Sequence, residues 1–467
     1  MTRPSFNRSI SLECRDARLS SDAGALLLRE VVERTGLLPW LGGHLHDPRN
    51  PLFVQWPLAQ LVLTRVLLLA LGWRDQADVA RLQNDPVVRT AASLQRGCMP
   101  AREGSLPSQA SLSRLSTMLS PRAQRGRLNE ALTVVTGRIY AGLGWSKTPI
   151  DLDIDSVPIE VHGHQDGSAY NGHYGCRVYH PLLATIGDHG DLVGAWLRPG
   201  NVYTAHEAER CILGVVGRVE RDVAPVALVR MDAGFPSATL LAGLDAKDIG
   251  YVARLRKNSV LRNLAGDARF PMLPPPDGEP RIRAREMTYQ AGSWGRARRV
   301  VHIHVQDPGE LFGREFYLLT SVSADDLPAL ELLQRYRRRG CAEDAMGQFK
   351  ELVRPALSSS NRSKSTWRGR APVVQAEPVE PFAMNEVELL LGALAAALVR
   401  AIGHLVASRT GRRRRLQTIR EQLLKVAARV TFHARRVRVT VATSAPRPWA
   451  EAWRALGALS PHAVPDG

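Results

Sequence analysis

An α/β fold, with a mixed sheet covered by helices, is predicted by three features of this chain. Residues 1 to about 145 read as helical. Near Thr148 the texture changes to short strands alternating with helices. A proline-punctuated, β-rich stretch then precedes a second helical region. With 467 residues the chain can bury substantial cores, and its length fits two to four domains.

In the first region, residues 23–37 and 57–71 carry apolar side chains at helical spacing. Residues 108–115 follow Pro107 and read as a capped helix start, with small polar side chains that suit either a DNA groove or an ordinary bundle. Residues 149–157 are a β-like run in which Asp151, Asp153 and Asp155 alternate with Leu152 and Ile154. Residues 181–186 and 192–197, joined by Gly187-Asp188-His189-Gly190, read as a hairpin. Helical spacing returns at 206–219, and a short buried strand at 226–231 ends at Asp232. A helix at 236–244 and a strand at 250–255 follow. Three strands, helix, strand, helix, strand is the order of the RNase H-like fold.

Residues 258–325 lack a helical pattern. Pro271, Pro274, Pro275, Pro276 and Pro280 punctuate them, and 299–305 and 315–320 read as strands. A helix begins near Leu327, a polar loop is expected over 358–381, and a helix over 385 to about 406. The chain closes with the basic block Arg412, Arg413, Arg414 and Arg415, a basic helix to 430 and a strand-like run at 435–441.

Charge narrows the function. Lys+Arg number 62 against 45 Asp+Glu, a net charge of +17, which points to polyanions, nucleic acid before a membrane surface. Much of the surplus is arginine, whose fork matches phosphate. Cys14, Cys98, Cys176, Cys211 and Cys341 are scattered without a CxxC pair, against a zinc ribbon or a disulfide framework and in favour of a reducing compartment. The N-terminus shows no signal-peptide core, and the apolar run 389–399 falls short of the roughly 20 residues of a spanning helix. The expectation is a soluble cytoplasmic protein without a membrane partner. The expected division is a helical DNA-binding domain at 1–145, a core at 146–257, a β-rich insertion at 258–325, the rest of the core at 326–410 and a basic C-terminal helical region at 411–467.

Tyr336, Arg339, Glu343 and Lys350 stand at intervals of 3, 4 and 7, which return to one face of a helix. Asp155 ends the first predicted strand and Asp232 the fourth, and in a fold of this order those ends lie side by side. Carboxylates from distant segments suit Mg²⁺ or Mn²⁺, leaving positions open for phosphate and water. Two ions about 4 Å apart would serve an in-line phosphoryl transfer. Asp153, on the same strand face as Asp155, is the alternative ligand. His162, His164, His173 and His180 invite a zinc reading, but no third ligand at fixed spacing supports it.

These residues resemble the DDE transposases of bacterial insertion sequences, in the group with a Y-(2)-R-(3)-E-(6)-K signature. Tyr336, Arg339, Glu343 and Lys350 meet that spacing in full. Residues 152–156 with 161–165 are similar to the first-aspartate motif of the thirteen-eighty-type subgroup, and 228–235 to the second. Residues 108–115, 180–183 and 197–201 also resemble it, so the likeness runs from roughly 20 to 445. Residues 355–381 are longer and less regular than in the family, and Val157 replaces a usual threonine. The resemblance implies an RNase H-like core interrupted by a β insertion, and Mg²⁺-dependent end cleavage followed by strand transfer. It implies Asp155, Asp232 and Glu343 as metal ligands, and Tyr336, Arg339 and Lys350 as phosphate contacts. Trp294 is placed to stack on an end base, or else to be a core tryptophan. Double-stranded DNA, self-association in a synaptic complex and a nucleoid-associated location follow from the same likeness. The competing reading is an inactive or domesticated relative that only binds DNA.

Overall fold

Eight strands form one mixed sheet in the computed structural model. The structure describes residues 5–6, 9, 18–172, 174–266, 278–310, 313–355, 357–359, 380–442, 446–457 and 459. In chain order the strands are β1 (Ile150–Ser156), β2 (Leu182–Ile186), β3 (Asp191–Trp196), β4 (Val226–Met231), β5 (Gly250–Leu255), β6 (Arg281–Tyr289), β7 (Arg298–Gln306) and β8 (Arg314–Thr320). Their spatial order is β6-β7-β8-β5-β4-β1-β2-β3. β1, β2 and β3 are antiparallel neighbours, while β4 lies parallel to β1 and β5 parallel to β4. Parallel neighbours need crossovers, supplied here by α1 (Ala208–Asp222) and α2 (Ala238–Asp245). The central strands are buried on both faces, as their near-continuous apolar sequences require.

Residues 258–325 do not stand apart from this sheet. β8 pairs antiparallel with β5, so β6, β7 and β8 extend the sheet at one edge. A helix at Ser259–Ala265, capped by the Asn258 side chain on the Leu261 amide, occurs where no helical pattern was expected. The prolines at 271 and 274–276, His173, and most of the predicted 358–381 loop lie outside the described residues.

The predicted N-terminal helices are present, among them Ala25–Arg34, Leu58–Leu71, Gln109–Leu119 and Arg122–Leu143. The Ser108 hydroxyl accepts from the Ser111 amide, as a capping serine should. These helices pack around α5, for which the sequence must first be followed past α3 (Ala329–Arg337) and α4 (Gly340–Val353) to Pro381–Thr410. By length and composition α5 could cross a membrane, but 89% of its most apolar window is buried inside protein. It is apolar all round because it is surrounded by protein all round. One hydrophobic cluster joins the N-terminal helices, α4, α5 and the C-terminal elements.

In the C-terminal region the basic helix expected to run to 430 is cut short, while the strand-like run expected at 435–441 is a strand. After a short helix at Leu416–Ile419 and a π-helical turn at Arg420–Leu424 comes a hairpin of β9 (Ala428–His433) and β10 (Arg436–Val441). Val430 and Phe432, with Val437, Val439 and Val441, alternate with polar residues, a period of two that a helix could not bury on one side. Leu19–Ser20 adds a short third strand beside β9.

Candidate active site

The register of β1 and β4 sets Ile154 beside Met231, and the next residue on each strand is an aspartate, Asp155 and Asp232. Both strands are anchored by fully buried Leu152, Ile154, Val229 and Met231. The acids therefore emerge together at the carboxyl ends of parallel strands, where open α/β sheets place ligands.

Glu343 arrives from α4. The face expected on one helix is instead shared by two, α3 and α4, which meet at Arg338 and Arg339. The junction is tightened by short-range bonds, from the Arg339 amide to Tyr336 O at 3.0 Å and from the Ala342 amide to Arg339 O at 2.9 Å. Gly340 and the repelling run Arg337-Arg338-Arg339 weaken the helix there. Because the backbone stays right-handed through both arginines, the side chains still converge. The Arg339 guanidinium donates to Asp155 at 2.6 Å and to Glu343 at 3.1 Å. It bridges a largely buried acid and an exposed one, their side chains 18% and 64% accessible.

The site carries surplus negative charge. Burial raises the Asp155 carboxyl above its usual range, and the charges of Asp232 and Glu343 add to the shift against Arg339. Burial works against the Arg339 charge, yet Asp155, Tyr336, Asp232 and Glu343 outweigh it and raise Arg339 as well. Both partners hold their protons more tightly, as expected where one cation faces three acids. Burial, with Asp232 and Asp155 nearby, pushes the Tyr336 hydroxyl up to about 12. The Lys350 ammonium donates to Pro158 O at 3.0 Å, beside a cavity lined by His162, Tyr174 and Arg354.

Asp151, Asp153 and Asp155 leave one face of β1, and each meets an arginine. Asp151 binds Arg335 at 2.6 and 2.9 Å. Asp153 binds Arg230 at 2.6 and 2.7 Å, with both side chains fully buried. Both oxygens of Asp153, the alternative ligand to Asp155, are thus engaged inside the sheet. Arg230 and Arg335 were not singled out in the sequence. The signal for Arg230 was there: a charge inside the buried run Leu228–Met231 needs a partner.

Three hard carboxylates facing one cation are donors of the kind a divalent ion such as Mg²⁺ takes, although their oxygens do not all lie within 4.8 Å of one another. A different donor set stands elsewhere. Among the described residues, the one trio of His, Cys, Asp or Glu ligand atoms within 4.8 Å of one another is His189, Asp191 and His404. The His404 Nε2 lies 2.9 Å from both Asp191 oxygens, and the Tyr140 hydroxyl donates to Asp191 at 2.9 Å. Burial disfavours the Asp191 charge, but His404, Arg400 and Tyr140 outweigh it and hold the carboxyl below its usual range. This trio sits at the β2–β3 turn, whose Gly187 amide binds Asp151 O near the start of β1, away from Asp155. The histidines weighed in the sequence behave differently: His162 and His164 are exposed and His180 is buried.

Other predicted contacts need correction. Trp294 is buried, T-shaped against Tyr289 and with Arg298 over its ring, the core position that was one of its two expected readings. Of the basic block, Arg415 is paired with Asp344 at 3.0 Å, and Arg413 donates to Asp188 O. Arg412 alone of the four is exposed without a side-chain partner among the described residues, and an Arg414 nitrogen is buried. Cys98, Cys176, Cys211 and Cys341 are free thiols.

An α/β sheet with acids at the ends of adjacent parallel strands, joined by a third from a later helix, defines a class of acid-lined cores on a basic protein. The chain matches the family described as transposase DDE domain group 1 over residues 2–369 and 373–461, and it belongs to that family. No match is found among curated proteins. Among solved structures it is similar to piggyBac transposase, in a cryo-EM structure of the synaptic complex with hairpin DNA. The identity is 13%, with 87% of this chain and 80% of that chain covered and a TM-score of 0.41.

Proposed function

We propose that this chain is an insertion-sequence transposase, cutting DNA at the ends of its element and joining them to target DNA on an RNase H-like core. The observation that carries the reading is the meeting of three acids: adjacent strand ends bring Asp155 and Asp232 together, and Arg339 ties Glu343 to Asp155. The order β3-β2-β1-β4-β5, antiparallel then parallel, supports the core assignment. Asp155, Asp232 and Glu343 would hold Mg²⁺, or Mn²⁺ in its place. Bound ions would activate an attacking oxygen and stabilise a leaving one.

The chain's own residues bind and orient the substrate. Arg339 neutralises Asp155 in the absence of DNA, and its Nε is buried without a partner. Transfer of this guanidinium to a DNA phosphate would free the acids and set a forked donor on the backbone. Lys350, two turns beyond Glu343 on α4, would hold a second phosphate. Tyr336 stays un-ionised at any working pH, so it acts as a hydrogen-bond donor and not as a base. The charge of +17 fits double-stranded DNA as partner, and two ends call for self-association.

The test is cleavage of a duplex carrying the element's terminal repeat, in Mg²⁺ and after chelation. Native protein should nick the end only with metal. Asp155→Ala, Asp232→Ala and Glu343→Ala should each bind DNA without cutting it. Near-normal cleavage by any one variant removes that residue from the ligand set. Binding without cleavage by native protein, in Mg²⁺ and in Mn²⁺, would instead favour the DNA-binding relative.

A further inference from the structure

The register of the C-terminal hairpin sorts its side chains into two faces. Arg429 pairs with Thr440, Thr431 with Arg438, and His433 with Arg436. These six residues share one face, and all six are exposed. The other face, with Val430, Phe432, Val437, Val439 and Val441, packs against the core and Trp449. The polar face is therefore presented by a supported ribbon, not by a loose tail.

Its charge is uncompensated. Among the described residues, Arg429, Arg436 and Arg438, and Arg435 in the turn, have no carboxylate within ion-pair distance. On the opposite, apolar side two further exposed arginines, Arg18 and Arg102, lie over the Phe432 ring at 4.7 and 5.1 Å. The Arg102 guanidinium also donates to Ala434 O in the turn, at 2.9 Å. The three-stranded part of this sheet is confined to the far end, where Leu19 and Ser20 pair with Arg429 and Ala428. The turn end is thus two strands wide.

We infer that this ribbon is a second DNA-contacting surface, distinct from the acid cluster, which enters the major groove and reads base edges. A two-stranded ribbon fits a major groove about 12 Å wide. Six residues of strand extend about 20 Å, more than half a helical turn of duplex. Arginine, threonine and histidine are side chains that bond base edges, while Arg435 in the turn is placed to meet a flanking phosphate. The face carries no apolar or aromatic residue for a lipid surface. In the sequence, Arg429 falls in the expected basic helix, while Arg435, Arg436 and Arg438 fall in the strand-like run. The pairing register interleaves the threonines and histidine with the arginines on one face. The inference rests on the transposase reading only for the identity of the DNA, not for its binding.

The experiment uses the full chain and a pool of duplexes with a randomised central stretch, so that the protein itself selects the sequence it reads. Native protein should enrich a motif over successive rounds. The double variant Arg436→Ala/Arg438→Ala should enrich it at least about tenfold less, with unchanged thermal unfolding, since both side chains are exposed. Thr431→Val should shift the preferred base at one position. Asp155→Ala should enrich the native motif, which separates this surface from cleavage and from any failure of the catalytic reading. Equal enrichment by native protein and the double variant overturns the inference, as does a uniform loss of affinity with the motif unchanged. Loss of binding to phosphatidylglycerol vesicles with DNA selection intact would also overturn it and would assign the face to membranes.

Discussion

In the interior of the sheet, Asp153 and Arg230 are fully buried and joined by two short hydrogen bonds, and Arg230 is further tied to Arg335 O at 2.9 Å. At the carboxyl edge, two residues along the same strand, Asp155 meets Arg339, which it shares with exposed Glu343. The residue types and distances are nearly the same. What differs is the freedom of the arginine. Arg230 is enclosed between strand and helix, whereas Arg339 sits at a helix junction with one nitrogen still unpartnered. An acid becomes available to a ligand when its cation has somewhere else to go.

That contrast breaks most visibly at the edge. Asp155→Ala should reduce end cleavage on the order of 1,000-fold, through loss of several kcal/mol of charge stabilisation. Its denaturation midpoint should move by no more than about 1 kcal/mol in stability terms. A large loss of stability would show that the edge pair is as structural as the interior one.

Arg230→Leu probes the other side. It strands a buried carboxylate and should cost about 3–5 kcal/mol in urea denaturation, whereas Asp153→Leu combined with Arg230→Leu should recover much of that loss. Unaltered stability of the single variant would mean that the interior is open to water. Trp294→Ala sharpens the same point for a residue whose sequence reading was split between a DNA contact and the core. About 3 kcal/mol of stability should be lost, with end binding per folded molecule unchanged. The smallest effect is expected from Arg339→Ala, which should lower the salt dependence of duplex binding by about one unit of slope. If the slope matches that of native protein, Arg339 does not leave its acids for phosphate.

The elements legible in the sequence were those whose burial leaves one pattern possible. β4 and β5 are mostly apolar runs, each broken by one arginine and set off by a proline, an aspartate or a glycine, and their limits could be read to the residue. β6 is an edge strand wetted on both faces, so its alternation of charge carried no signal. The α3–α4 junction was hidden because helical periodicity continues across it even though the hydrogen bonds change. β9 opens with Ala428 and Arg429, after Ala427, a helical composition, and only Val430 and Phe432 carry its period of two. The acids were legible through their places at strand ends. The arginines that answer them were only partly so, and His404 met Asp191 across 213 residues, beyond any local pattern.

α5 fills the centre of a layer whose other helices precede it by most of the chain. At roughly 5–20 residues per second, a ribosome delivers it on the order of 10–50 s after Arg122–Leu143 has emerged. For that interval the N-terminal helices have walls and no filling. In chains halted before residue 381 the N-terminal helices should be digested by protease far more readily than in the full chain, since their hydrophobic cluster needs α5. A gene cut short there would leave no folded N-terminal layer able to occupy the DNA of intact copies.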